Sequence, residues 1–257
     1  MIKKFQKAVN DPQMALKLLQ IRSGIFRGQK QYKRFVLLSR SRTGSNLLIS
    51  MFNSHPSVYA KGEIFSWLKG RAEEQILNRI YASYPGYIKA VGFKIFYYHP
   101  QDDESGQIWQ LLQNLDDLYI IHLKRRNILR TLLSRRIAGI TDAYRYDLQK
   151  SGKNDQKKTC RFSEDELRAG FEQTRDWEIK FARLFSNKST IDVYYEDMVC
   201  NPNLEFNKIA EMLKIKSHSP PTHLKKQNPE KAIELIENYT TLKAKFNDTQ
   251  WACFFED

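Results

Sequence analysis

Short apolar runs alternate along this chain with longer segments that are apolar on one side and polar on the other. The apolar runs predicted to form strands are 34–39, 90–96, 118–124 and a late run that starts at Thr190. The segments predicted to form helices are 45–53, 72–84, 106–115, 127–138, a long helix that opens at Ser163, and 201–213. Alternation of strands and helices predicts an α/β fold with a parallel sheet and helices on both faces.

The outer parts of the chain lack this alternation. Residues 1–33 are predicted to form a helical extension and residues 217–257 a helical section, so that 1–257 is one domain. Residues 144–160 hold few apolar side chains, which predicts a mobile surface loop, either a substrate lid or a solvated linker. Ser163 and Glu166 have the spacing of a capping box that begins the next helix.

The most informative segment is 35–48, in which an apolar strand breaks into a basic, hydroxyl-rich turn and then becomes a helix. Backbone N–H groups at a helix start, together with the helix dipole, favour an anion. The turn and the first helical residues would add a close backbone approach and side-chain donors. These residues are Arg40, Arg42, Thr43, Gly44, Ser45 and Asn46.

This turn differs from the nucleotide P-loop, which has a lysine directly after its last glycine and then a Ser/Thr for magnesium. Here Ser45 follows Gly44, and the cation, Arg42, precedes the glycine. The arrangement resembles the 5′-phosphosulfate loop of sulfotransferases that use 3′-phosphoadenosine 5′-phosphosulfate (PAPS). The resemblance implies that residues 40–46 bind the donor.

A second basic strand end, in 118–136, agrees with this resemblance. In the sulfotransferase family, an arginine at such a strand end and a serine eight positions later bind the 3′-phosphate of the donor. Arg126 and Ser134 have this spacing. Arg125 competes with Arg126 for the role, but only Arg126 has the family offset.

Further segments of the family pattern follow in the expected order. Residues 53–65 resemble its His-Pro and Gly-Glu segment, the 90–96 strand carries Lys94, and 190–198 resembles its late strand and Tyr-Glu-Asp turn. The family implies a P-loop nucleotide-hydrolase-like sulfotransferase fold with a central parallel sheet. Lys225 and Lys226 are weak counterparts of the basic segment that often closes over the donor.

The resemblance implies transfer of a sulfuryl group from PAPS to a hydroxyl, or less readily an amine, of an acceptor. Family branches that resemble this chain use the glutamate of the Gly-Glu segment, here Glu63, as the base that deprotonates the acceptor. A wall made of Ile64, Phe65 and Trp67 would favour proton uptake by this carboxylate. His55 and His99 remain the alternatives. Lys94 would touch the sulfuryl group or the acceptor, and Arg42 would stabilise the leaving phosphate.

The net charge of the chain indicates anionic partners and bears on two alternative functions. Forty-two basic and 29 acidic residues give a net charge of +13, which favours anions such as PAPS and its product PAP, but also nucleic acid. A kinase or other phosphoryl transferase would need the missing Gly-Lys-Ser/Thr loop. The basic motifs lie at strand ends rather than along one face, so no nucleic-acid partner is expected.

The remaining features predict no further groups. The cysteines, Cys160, Cys200 and Cys253, suggest neither a disulfide framework nor a zinc site, and no metal is expected. Because no long apolar segment occurs, we expect no transmembrane span, and we expect a cytoplasmic location. The sequence leaves the oligomeric state open and allows a small molecule, a glycan or a lipid as acceptor.

Overall fold

A five-stranded parallel sheet in the order β2-β3-β1-β4-β5 forms the centre of the computed structural model, which describes residues 17, 21, 28–141, 159–220 and 230–256. The strands are β1 (Lys33–Ser39), β2 (Val58–Glu63), β3 (Ala90–Phe96), β4 (Leu118–Lys124) and β5 (Ser189–Tyr194). All five carboxyl ends therefore lie on one edge of the sheet, where open α/β folds bind their ligands.

Helices connect the strands and complete the chain. Those before β5 are α1 (Ser45–Ser54), α2 (Glu73–Ile80), α3 (Gln107–Gln113), α4 (Ile128–Ile140) and α5 (Glu164–Leu184). Those after it are α6 (Tyr195–Cys200), α7 (Pro202–Met212), α8 (Ala232–Leu235), α9 (Tyr239–Phe246) and the 3₁₀ helix Ala252–Phe255. The capping box predicted at the start of α5 is present: Ser163 Oγ accepts the Glu166 N–H, and the Glu166 carboxylate accepts the Ser163 N–H.

Successive residues of the central strand β1 point into different cores. Val36 and Leu38 pack into one hydrophobic cluster, and Phe35 and Leu37 into another, and all four are fully buried. This is the pattern of a parallel strand covered on both faces. A third cluster joins α4 and the start of α5 to the C-terminal helices, so the predicted C-terminal section packs against the body of the protein.

The predicted α/β fold is confirmed, but one strand was missed. Residues 58–63, Val-Tyr-Ala-Lys-Gly-Glu, form the edge strand β2, of which only Val58 and Ala60 are buried. A short edge strand with lysine, glycine and glutamate lacks the apolar run that identified the others. The consequence for the site is that Glu63 ends a strand and lies beside β3.

Several predictions concern residues outside the described ranges. They are the N-terminal extension apart from the few described positions, the loop through residue 158, and the basic pair Lys225 and Lys226. Cys160, the last residue of the predicted loop, is buried and forms a parallel bridge with Ile236. Among the described residues, no helix is both long enough and apolar enough to cross a membrane.

Candidate functional site

The turn between β1 and α1 has a backbone that depends on Gly44. Arg42 and Gly44 have positive φ angles of 69° and 86°, a region that glycine enters most easily. A Cβ on Gly44 would lie 2.4 Å from the Tyr195 ring. Thr43 Oγ1 donates a 2.8 Å hydrogen bond to the Arg40 carbonyl and closes the turn. Only glycine fits this position without a shift of the neighbouring ring.

The start of α1 suits an anion. Gly44 is its N-cap and has no side chain with which to accept the first N–H groups of the helix. The next residue, Ser45, is buried. Helix starts without a side-chain cap leave donors for a ligand, and the helix dipole adds partial positive charge.

Two arginines border this turn. Arg42 Nε donates a 3.0 Å hydrogen bond to Ser134 Oγ on α4. Arg125, at the end of β4, donates from Nη1 to the Arg42 carbonyl at 3.3 Å and lies over the Tyr195 ring at 4.6 Å. Burial lowers the pKa of Arg125, and its buried Nε makes no hydrogen bond to the described residues. The turn is therefore bordered by cationic side chains from two strand ends.

Arg126 points to different partners from Arg125. Its two terminal nitrogens donate to the Asp197 carboxylate at 2.6 and 2.7 Å, and its guanidinium lies 4.2 Å from the centre of the Tyr194 ring. The hydrogen bond from Arg126 lowers the pKa of Asp197. Ser134, the predicted partner of Arg126, instead contacts Arg42. The structure thus links the two predicted phosphate motifs through Ser134 and Arg42.

Glu196, which lies in α6, occupies the start of α4. Glu196 accepts the backbone N–H groups of Arg126 and Asn127 at 3.1 and 3.3 Å. A carboxylate at a helix start takes the place that a ligand anion could take. An anion near Arg126 would therefore depend mainly on side-chain donors.

Arg40 is turned toward α5. Its guanidinium donates to the Gly170 carbonyl at 3.1 Å and to Thr174 Oγ1, and lies 5.4 Å from the Trp177 ring. Burial lowers the pKa of Arg40 to about 10. These contacts fix the end of β1 to α5.

Glu63, Lys94 and Asn46 form one polar cluster at the carboxyl ends of β2 and β3. Lys94 Nζ lies 2.9 Å from Glu63 Oε1 and donates to Asn46 Oδ1 at 2.6 Å. The Lys94 side chain is 3% exposed and that of Glu63 is 40% exposed. The buried cation therefore connects the α1 start to a carboxylate that solvent can reach.

The structure does not bring His55 to this cluster. His55 lies between α1 and the amino end of β2, where its Nε2 is 3.0 Å from the Lys216 carbonyl and its Nδ1 accepts the Ser57 N–H at 3.1 Å. Its ring stacks on Phe206. Burial lowers the pKa of His55. These contacts place His55 near the amino ends of the strands, on the side of the sheet opposite to the carboxyl ends.

His99 lies close to the cluster but is buried. Its Nδ1 accepts the Phe96 N–H at 3.3 Å, and its ring lies 4.9 Å from that of Phe96, which the Lys94 ammonium also contacts. Burial lowers the pKa of His99 to about 4, so the ring is neutral at physiological pH.

Sequence reasoning did not single out Tyr98, which contacts the β1–α1 turn. The Ser41 side chain hydrogen-bonds the Tyr98 hydroxyl, and burial raises the pKa of Tyr98. In the predicted wall, Phe65 belongs to the core, whereas Trp67 is 47% exposed. The position of Tyr98, two residues after the end of β3, was the available signal.

Comparisons with known proteins point to one family of folds. No family model matches the sequence. The chain is 25% identical over 238 residues to Nodulation protein H of Rhizobium tropici, across 86% of this chain and 92% of that protein. A crystal structure of a sulfotransferase from Alicyclobacillus acidocaldarius matches with a TM-score of 0.51 and 12% identity, across 82% of this chain and 90% of that one. Mouse sulfotransferase SULT7A1 complexed with PAP matches with a TM-score of 0.44 and 11% identity, across 92% and 93% of the two chains.

Proposed function

This chain has the sulfotransferase fold, as the sequence resemblance predicted, and on that premise we propose that the protein transfers a sulfuryl group from PAPS to a hydroxyl group of an acceptor. An amine is the secondary acceptor group. The proposal includes a small molecule, glycan or lipid as acceptor and a cytoplasmic location.

The observation that carries the proposal is the position of the Glu63–Lys94 pair beside the anion-binding turn. Transfer of an anionic group to a hydroxyl needs cationic support for the leaving group, a base for the acceptor and close alignment of the two. The α1 start with Arg42 supplies the first. Glu63, which reaches solvent at the end of β2, two strands from β1 in the sheet, supplies the second.

In this proposal, the α1 start holds the 5′ side of the donor. The N–H groups of residues 43–46, the Ser45 hydroxyl and Arg42 bind the 5′-phosphate, and Gly44 allows its close approach. Arg126 and Ser134 bind the 3′-phosphate. Arg40 supports the turn from α5, and Asn46 acts through Lys94. Arg125, which sequence reasoning set second, supports the turn from β4.

The chemistry assigns one role to each charged side chain. Glu63 takes the proton of the acceptor hydroxyl as its oxygen forms the new bond to sulfur. Arg42 and the α1 N–H groups stabilise the charge that grows on the 5′-phosphate as the old sulfur–oxygen bond breaks. Lys94 faces the negative sulfuryl oxygens. PAP, the sulfated acceptor and the proton held by Glu63, which then passes to solvent, account for all atoms.

Glu63 is assigned as the base on geometric grounds. His55 lies at the opposite edge of the sheet. His99 is buried, and its Nδ1 already accepts a backbone N–H. Glu63 combines a carboxylate, 40% side-chain exposure and contact with the predicted sulfuryl-binding lysine.

The donor site is tested by thermal unfolding in magnesium-free buffer. PAP at a hundredfold excess over its dissociation constant should stabilise the fold by about 2.7 kcal/mol, because it binds only the folded state. ATP and adenosine 5′-phosphosulfate, which lack the 3′-phosphate, serve as controls. A PAP shift no larger than that of ATP would contradict the proposal.

The reaction is tested next with ³⁵S-labelled PAPS against a panel of hydroxylated acceptors. With an acceptor that accepts label, Glu63→Gln should slow turnover by about two to four orders of magnitude and still bind PAP. Glu74→Gln, an exposed glutamate on α2, is the matched control and should retain activity. Normal turnover by Glu63→Gln would remove Glu63 as the base.

A further inference from the structure

The Lys94 ammonium serves two sites at once. It lies 2.9 Å from Glu63, the proposed acceptor base, and it donates at 2.6 Å to Asn46 in the first turn of α1, the proposed donor site. Lys94 comes from β3, which pairs with both β1 and β2. One buried cation therefore touches both halves of the proposed reaction.

The backbone directs Glu63 to this position. β2 and β3 pair in regular register up to Lys61, and the register then shifts so that Glu63 pairs with Lys94. An irregularity at the end of an edge strand redirects the side chains that follow it. Here it turns the carboxylate toward the lysine.

In this arrangement the Glu63 carboxylate is already engaged. Its Oε1 lies 2.9 Å from the Lys94 ammonium, and an acceptor hydroxyl that approaches this oxygen has to compete with the ion pair. The Lys94 side chain is 3% exposed, so little water is available to replace Glu63 as its partner. Another anion at the same place could replace it, and the sulfuryl group of the donor is such an anion.

Resting on the proposed function, we propose that Lys94 couples donor binding to the activation of Glu63. In the absence of donor, Lys94 holds Glu63. When PAPS binds, its sulfuryl oxygens take the ammonium from Glu63, Asn46 keeps the lysine at the α1 start, and the released carboxylate can accept the acceptor's proton. PAP has no sulfuryl group and leaves the ion pair intact.

The coupling predicts an unusual effect of removing the base. If PAPS must break the Lys94–Glu63 pair, a variant without the pair binds PAPS more tightly. Glu63→Gln should therefore raise PAPS affinity by about two- to fivefold, the range expected for breaking one partly exposed ion pair. PAP affinity should stay unchanged.

Simple charge repulsion between Glu63 and the sulfuryl group would also be relieved by this substitution, and a second background separates the two causes. The affinities of PAPS and PAP are measured by displacement of a fluorescent PAP analogue from the wild type, Glu63→Gln, Lys94→Met and the double variant. The coupling requires Lys94, so the gain in PAPS affinity should vanish in the Lys94→Met background. Two results would overturn the inference. One is an equal gain from Glu63→Gln in the Lys94→Met background, and the other is no PAPS-selective gain from Glu63→Gln when Lys94 is present.

Two controls keep the result interpretable. Lys94→Met roughly keeps the length of the side chain at a buried position. If the methionine variant melts at a much lower temperature than the wild type, the Lys94→Gln variant is used in its place. Failure of the wild type to bind PAP better than AMP would contradict the proposed function itself. Normal PAP binding without the selective PAPS effect would contradict only the coupling.

Discussion

Arg125 and Arg126 show how neighbouring residues of one type reach different environments. Arg125 is largely buried against the β1–α1 turn, whereas the Arg126 side chain is 51% exposed and paired with Asp197. Its exposure, and Asp197 as its one carboxylate partner among the described residues, leave Arg126 able to meet a phosphate from solvent. The Tyr194 ring, on which the Arg126 guanidinium lies, orients this planar group.

At this scale we predict that Arg126→Ala weakens both PAPS and PAP binding by about ten- to a hundredfold, because a charge-assisted contact to the 3′-phosphate is lost. AMP, which has no 3′-phosphate, should bind equally to both proteins. Competition binding with the three nucleotides measures the effect. Arg168→Ala, which removes another partly exposed, ion-paired arginine, is the control. Equal losses for PAP and AMP would place Arg126 outside the 3′-phosphate site.

At the scale of elements, the short helix α6 connects the two basic turns. Tyr195 packs against Gly44 in the β1–α1 turn, and Glu196 and Asp197 bind the backbone and side chain of the β4–α4 turn. The sequence pattern indicated a Tyr-Glu-Asp turn but not its contacts. Because β5 lies next to β4 in the sheet, its end delivers α6 to both turns.

Gly44→Ala is therefore predicted to disturb both stability and donor binding. The positive φ and the collision with Tyr195 should together lower the free energy of unfolding by about 2–4 kcal/mol, as measured by urea denaturation. The PAP-induced thermal shift should be lost. Gly86→Ala adds a Cβ that meets nothing within 4 Å and should change stability by less than about 0.5 kcal/mol. Similar effects of both substitutions would refute this account of the turn.

At the scale of the whole molecule, buried neutral histidines couple stability to pH. His99 and His122 are 2% and 1% exposed. Burial lowers the pKa of His99 to about 4 and that of His122 to about 3, below the ordinary value of 6.5. Tyr97 Oη lies 2.7 Å from His122 Nε2 and accounts for one of the ring nitrogens.

These histidines predict a loss of stability on mild acidification. The unfolded chain takes up protons below pH 6.5 and the folded protein does not until about pH 4, so stability is complete above pH 6.5 and falls as the pH drops through this window. At pH 5 each histidine should cost about 2 kcal/mol relative to pH 7.5. Urea denaturation at both values measures the difference, and His99→Asn should reduce it. Equal stability at the two values would contradict the prediction.

The sequence by itself determined the parts that depend on neighbours in the chain. Four of the five strands, the turn around Gly44 and the capping box of α5 follow from apolar runs, glycine and local hydrogen-bonding side chains. The edge strand β2 did not, because its polar residues interrupt the apolar pattern.

Only the tertiary structure decided which distant residues meet. Sheet topology pairs Glu63 with Lys94 and moves His55 to the opposite edge, and packing turns Arg40 toward α5. A chain position cannot reveal such contacts, because they depend on the order of the strands and on the direction in which each side chain leaves its element. Local periodicity therefore identifies the turns and strand ends, whereas the partners of each charged side chain are set by packing.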